Sequence, residues 1–331
     1  MTLKFDNVYV LNSATVAGPV EANGPLREFF DKVYNDYYMD KKSVELSEVK
    51  MQKDVINILL DKEKIIKDNV DIFIGGDLTN QIASSCYAFS DYKASFLGVY
   101  TACATSIEGL IIGSSFLESK LAKNIICTTS SHNLVAEKQF RNPIEYGVLK
   151  PSTATFTATG GASILLSRKK SDIRVTSATI GRVINLHQTD VNHMGAVMAP
   201  ACADTLVRHL NNTNTTLDDY DLVLSGDLGI YGAEILKDIM ARKYNILVSR
   251  KYNDCGLMLY DTKIQKEVMA GGSGPVCSAL VNYGYILDML KKKNLKKVLL
   301  IATGALFNPT MVFQKQDILG IANAVCLEVV E

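Results

Sequence analysis

What this chain has little of narrows its chemistry first. It has no net charge, because 35 lysines and arginines cancel 35 aspartates and glutamates. It therefore lacks the basic surplus on which nucleic-acid binding rests, and any charged ligand has to be met locally. No apolar run approaches the roughly 18 residues that a membrane-spanning helix needs. The opening MTLKFDNVYV has no signal-peptide core, which predicts a mature cytosolic protein. The seven cysteines are scattered without a CxxC pair, and the four histidines, His132, His187, His193 and His209, show no HExxH or other ligand spacing. Neither a disulfide framework nor a metal site is expected from that pattern.

What is present reads as a globular protein, with 47% hydrophobic and 21% charged residues over 331 positions. That length predicts two domains or one duplicated unit. Laid over each other, the halves show the duplication. NVYVLNSATVAG (Asn7 to Gly18) matches DIRVTSATIGR (Asp172 to Arg182), and VDIFIGGDL (Val70 to Leu78) matches YDLVLSGDL (Tyr220 to Leu228). KNIICTTSS (Lys123 to Ser131) matches KVLLIATGA (Lys297 to Ala305), and GGASILLS (Gly160 to Ser167) matches IANAVCLE (Ile321 to Glu328). A fifth match pairs the stretch around Cys103 and Gly113 with EVMAGGSGPVCSALVNYGYILDML, which keeps Gly284 in the place of Gly113. Matches in one order at a separation of about 150 to 175 residues mark an internal repeat. Each half reads strand, helical region, strand, helix, strand, helix, strand, strand, with Val44 to Lys67 and Ala196 to Leu210 as the first helical regions. This pattern predicts mostly parallel sheets covered on both faces, with ligands gathering at the strand carboxyl ends.

The stretch FLGVYTACATSIEGLIIGSSFLE, Phe96 to Glu118, carries the sharpest chemical signal. Phe96 to Tyr100 reads as a buried strand, and apolar Ile107, Leu110, Ile111 and Leu117 with Gly109 and Gly113 read as a packed helix. Cys103 falls in the tight turn between them. Free backbone N–H groups and the helix dipole there favour thiolate over thiol, as an activated nucleophile requires. A small buried core cysteine explains the same residue. Three segments lie outside the repeat. They are Gly18 to Asp40, the long insertion His132 to Thr159, and Gln188 to Pro200, where Met194 and Met198 suit either an adaptable pocket wall or core packing.

A duplicated βαβαβαββ unit with a cysteine before the first half's buried helix resembles the thiolase-like superfamily. TACATSIEGL is similar to the nucleophile turn of its condensing enzymes and TATGGASILL to their GDGAGA-type strand. The blocks VYVLNSATVAGPVEANGPL, YTACATSIEGL, KPSTATFTATGGASILLS, HMGAVMAPACADT and ATGALFNP together resemble the stage V sporulation protein AD family over essentially the whole chain. The resemblance implies an α/β fold of two thiolase-like halves, residues 1–170 and 171–331, in an α/β/α/β/α body. It also shows departures. The histidine of condensing enzymes is replaced by Asp227 in SGDLG, their second His or Asn by Ser273 and Gly274 in GGSGPVCS, and the closing cysteine of thiolases is absent from ATGALFNP. Condensation needs donors for an enolate or oxyanion and a base for its protons, and those are the missing groups.

The family likeness implies a binding role instead. Dipicolinic acid, pyridine-2,6-dicarboxylate, is the implied ligand, free or with calcium. Other SpoVA proteins at the forespore or spore inner membrane are the implied partners of a peripherally associated, cytoplasmic protein without a resident cofactor. A homodimer is implied, paired near Phe96 to Tyr100. A small flat dianion asks for helix N-termini, a hydroxyl-rich rim and a cation. The residues offered are Cys103, Ser130, Ser131, His132, Lys150, Ser152, Thr153, Asn192, Met194, Asp227 and the turn Gly271 to Gly274 with Ser273. Lys150 is either an anion contact or a solvated loop lysine, and His132 either a ligand or a loop hydrogen bond. Asp77 and Asp227 hold equivalent repeat positions, which favours capping roles, with Asp227 alone keeping a functional option. The run Lys291 to Lys297, KKKNLKK, reads as a solvated helix end or a contact for anionic lipid. Two rival functions are an acyltransferase that loads Cys103 from a thioester and a scaffold with a relic pocket.

Overall fold

Strands built from near-continuous apolar runs need cover on both faces, and that demand sets the layers. A computed structural model of the protein describes residues 1–66, 69–140, 150–248 and 250–330, so 141–149 of the first insertion lie outside the described residues. The first half contributes β1 (Tyr9–Ala17), β2 (Ile72–Gly76), β3 (Ser95–Gly98), β4 (Asn124–Ser131) and β5 (Gly160–Ser167). The second contributes β6 (Ile173–Thr179), β7 (Leu222–Ser225), β8 (Tyr252–Asp254), β9 (Lys297–Leu306) and β10 (Leu319–Val329). Their orders, β3-β2-β4-β5-β1 and β8-β7-β9-β10-β6, are the same walk through each half. The halves join where Tyr9 pairs with Arg174 and Val10 with Ile173.

The sheet is less parallel than the alternation of strands and helices suggests. In each half the first two pairings are parallel and the last two antiparallel. In the second half the chain returns through the short helix Pro309–Phe313 and lays β10 directly beside β9, with Leu306 opposite Leu319, as an antiparallel neighbour.

Helices α1 (Val44–Glu63) and α2 (Ala83–Phe89) cover the outer face of the first half, and α3 (Thr105–Glu118) lies between the halves. After α4 (Asn133–Phe140), α5 (Met194–Thr213) and α6 (Gly229–Tyr244) cover the outer face of the second half, while α7 (Pro275–Leu280) joins α3 inside. Alternation along β9 divides its side chains between layers. Val298, Leu300 and Ala302 enter the central core with Ile107 and Val276, whereas Leu299 and Ile301 pack with Met198, Leu206 and Leu236 under α5 and α6. On the other side Ile126 faces Met51, Val55 and Phe73 beneath α1. The result is the α/β/α/β/α body implied by the duplication. One element departs from expectation: β3 is an edge strand, not a buried one, and Leu97 and Tyr100 are 38% and 43% exposed. Among the described residues nothing pairs beyond it.

Candidate functional site

Cys103 sits in a single 3-10 turn, Ala102–Ala104, wedged between β3 and α3. Ala102 takes the left-handed region at φ 50°, and the Thr105 hydroxyl donates to Ala102 O at 2.7 Å to hold the turn. Two glycines let the strands pass this close. A Cβ on Gly76 at the end of β2 would strike Val99 O, and one on Gly304 of β9 would strike Thr101 O. The turn is thus clamped between the C-terminal ends of strands from both halves, where ligands of such sheets gather.

The second half supplies the cysteine's neighbours. Asp227, after β7, is fully buried, and its carboxyl hydrogen-bonds the Cys103 thiol. Thr303 Oγ1 donates to Asp227 Oδ1 at 2.7 Å, while Ser273 Oγ and the Gly274 N–H donate to Oδ2 at 3.3 and 3.2 Å. Ser273 Oγ also lies 3.8 Å from Cys103 Sγ. Burial pushes the Asp227 carboxyl up to about 7. Burial, followed by the Asp227 charge, pushes the Cys103 thiol well above the usual range. This corrects the expectation of a thiolate. Desolvation and a neighbouring carboxyl outweigh the helix terminus. Asp77, the repeat partner of Asp227, plays a purely local part. Its Oδ2 takes the Ser85 N–H and hydroxyl at 2.7 and 2.6 Å, and its Oδ1 the Thr79 N–H at 2.7 Å.

Two connected cavities open here. An inner one of about 60 Å³ touches Cys103, Ser273, Thr157, Met194 and Met198. An outer basin of about 670 Å³ is bounded by Asn80, Gln81, Gln139, Asn308 and Thr310. Tyr100, Phe140 and Phe307 line both and form the neck, with the two phenylalanine rings edge to face at 5.6 Å. The inner space has room for a few waters only, at about 10–15 Å³ each. Only the basin falls in the roughly 300–1,000 Å³ typical of small-molecule sites. Among the described residues neither cavity is lined by a Lys, Arg, Asp or Glu side chain.

Of the residues named from sequence, the structure gathers Cys103, Asp227, Ser273 and Met194 at one point. Ser131 is buried behind Gly274 and donates to Ala158 O at 2.8 Å. His132 turns away from the cavities, with Nε2 on Tyr37 O at 2.9 Å, and burial holds its pKa below the ordinary value. Lys150 is ion-paired with Glu137 at 2.8 Å, so its charge is already met. Thr153 is half-buried in the loop before the short strand Phe156–Thr157, outside both cavity linings. Asn192 lies in the turn before α5, with its N–H on Asp190 at 2.8 Å. Sequence reasoning missed Thr303 and the neck. Phe307 and Asn308 stood in plain view in ATGALFNP, but only the fold reveals that this loop faces Phe140.

Known proteins resemble this chain in sequence and in fold. The model of the family described as Stage V sporulation protein AD (SpoVAD) matches residues 1–328. Stage V sporulation protein AD of Bacillus subtilis (strain 168) is 43% identical over 328 residues, covering 99% of this chain and 96% of the relative. Among solved structures, 3-oxoacyl-[acyl-carrier-protein] synthase III from Aquifex aeolicus VF5 aligns at TM-score 0.59 and 13% identity, covering 97% of this chain and 99% of that one. A variant of Xanthomonas campestris OleA aligns at TM-score 0.65 and 12% identity, covering 99% of this chain and 98% of that one. At such identities the structural likeness shows the fold alone, a thiolase-type body. The full-length match is what places the protein in sporulation: the chain belongs to the stage V sporulation protein AD family.

Proposed function

We propose that this protein binds dipicolinic acid in the basin outside Cys103, as a peripheral component of a SpoVA assembly that moves the ligand into the forespore, and that it does not run condensing chemistry. The observation that carries the reading is the neck and rim. Three aromatic side chains, Tyr100, Phe140 and Phe307, offer faces for a planar pyridine ring, while Asn80, Gln81 and Asn308 offer amide donors for its carboxylates. Calcium travelling with the ligand would supply the positive charge that the described lining does not carry. Asp227 argues against turnover, because a carboxyl beside the thiol repels the enolate or oxyanion that condensation has to stabilise. The same reading makes the protein a homodimer paired through β3.

Calorimetric titration with dipicolinate, with and without calcium, tests it. Saturable binding is expected in the wild type. Phe307→Ala is expected to weaken it about five- to tenfold, the worth of one aromatic contact at about 1–1.4 kcal/mol. Cys103→Ala is expected to leave it nearly unchanged, since the thiol lies below the neck. Absence of saturable binding in both conditions sinks the proposal. Labelling of Cys103 by an acyl thioester, followed by onward transfer, would favour the acyltransferase.

A further inference from the structure

Below the rim of the basin runs a closed chain of buried polar side chains that the site does not use. Helix α1 contributes Glu48 and Gln52, one turn apart on the same face, both fully buried. Gln52 Nε2 donates to Ser85 Oγ at 2.9 Å and to Ser130 Oγ at 2.6 Å. The Ser85 hydroxyl donates to Asp77 Oδ2, and the Ser130 hydroxyl donates to Glu48 Oε1 at 2.8 Å. Every donor in the cluster is now spent: two amide hydrogens and two hydroxyl hydrogens. Two buried acceptors are left over, Glu48 Oε2 and Gln52 Oε1, and neither has a partner among the described residues. Turning the amide over would sacrifice two hydrogen bonds to satisfy one oxygen. A proton on Glu48 Oε2 turns that oxygen from an unpaired acceptor into a donor, and the acceptor proposed for it is Gln52 Oε1, unpaired on the next turn of the same helix face and tied to Glu48 through Ser130.

We infer that Glu48 is a resident proton site, its carboxylic acid donating to Gln52, and that this proton fastens α1 to β4 and to the β2–α2 turn that carries the basin rim at Thr79. The charged and titratable surroundings support a neutral acid. Asp77 faces Glu48 from that turn, Glu45 from its own helix, and Lys138 of α4 is engaged by Glu45 at 3.0 Å. His132, after β4, is held neutral by burial. Helix α2 and strands β1, β4 and β5 bring no charged side chain to the cluster. Burial first and Asp77 second push the Glu48 carboxyl well above the carboxylate range. Deprotonation would leave a buried charge facing an unpaired amide oxygen.

Infrared difference spectroscopy of wild type against Glu48→Gln at pH 7 reads the proton directly. A protonated-carboxyl C=O band present in the wild type and lost in E48Q is expected. The melting temperature of the wild type is expected to fall from pH 6 to 9 more steeply than that of E48Q, whose amide mimics the protonated form. Gln52→Glu, which places a second carboxyl against the same proton, is expected to steepen the fall, and it decides the matter if E48Q does not fold. A missing difference band, or identical pH slopes in wild type and both variants, overturns the inference. So does stabilisation by sodium or potassium over choline that E48Q abolishes, which would put a cation where the proton is assigned.

Discussion

Around Cys103 the deciding quantity is how much negative charge the pocket tolerates. The thiol is almost wholly buried and shares hydrogen bonds with a carboxyl whose own pKa is about 7, so two acidic groups compete for one desolvated space. Alkylation of Cys103 by iodoacetamide at pH 8 is therefore expected to be slow beside that of exposed Cys86, as followed by peptide mass spectrometry. Asp227→Asn removes the repelling charge and is expected to speed Cys103 modification about three- to tenfold. An unchanged rate would mean that access alone controls the thiol. The resemblance to condensing enzymes singles out Asp227 for the place of their histidine and Ser273 with Gly274 for the place of their second His or Asn. Repeat position alone does not separate Asp77 from Asp227, because both follow a strand and a glycine; only the resemblance to condensing enzymes leaves Asp227 a functional option. The difference lies in what each meets: Asp77 finds Ser85 and Thr79 of its own half, Asp227 finds Thr303, Gly274 and Cys103. Such partners are set by the packing of distant segments, and no local spacing encodes them.

The repeat was legible at the scale of elements because each strand and its crossover helix keep the same apolar periods in both halves. Edge and interior were not, since Phe96 to Tyr100 is as apolar as a buried strand. Only the order of strands shows β3 at the rim. An apolar edge strand left open invites pairing with a copy. Light scattering is expected to give twice the chain mass for the wild type and a shift toward the monomer for Leu97→Glu; a wild-type monomer at micromolar concentration refutes pairing through β3. One strand earlier, Gly76 has a structural demand that no propensity scale conveys. Gly76→Ala would force β2 away from the Cys103 turn and is expected to cost about 1–3 kcal/mol in denaturant unfolding. The lysine run after α7 proves largely self-satisfied. Lys291 donates to Asn12 at 2.7 Å, Lys292 pairs with Asp288 at 2.7 Å and Lys297 approaches Glu328 at 3.7 Å.

Across the whole molecule, neutral net charge conceals a buried excess of acids. Glu21, Glu48, Asp77, Asp227 and Asp254 are all fully buried, and burial raises every one of them, Glu21 and Asp227 to about 7 and Asp254 to about 6. A carboxyl raised on folding binds its proton more tightly in the native state. Its contribution is whole below the unfolded value near 4 and is lost as pH climbs through the folded one. Glu21 alone, moved from 4.5 to about 7, represents about 3 kcal/mol over that window. Two buried histidines oppose this. His209 is lowered to about 4 and His132 is lowered as well, so each costs stability as pH falls below about 6.5. The half-exposed carboxylates Asp54 and Asp204, lowered by their lysine and arginine partners, are screened and lose their contribution only near pH 4. The five fully buried acids outweigh the two lowered histidines from pH 8 down to the unfolded carboxylate range, because at most two imidazole protons oppose up to five carboxyl protons. The melting temperature is accordingly expected to rise as pH is lowered from 8 toward 5 at constant ionic strength and to turn over near pH 4, where the unfolded carboxyls take up their protons. Glu21→Gln, which keeps the shape but not the titration, should flatten the rise. A curve that is level or climbs from pH 6 to 8 would mean that these carboxyls are ionised in the native protein, and the resident proton inferred on Glu48 would fall with them.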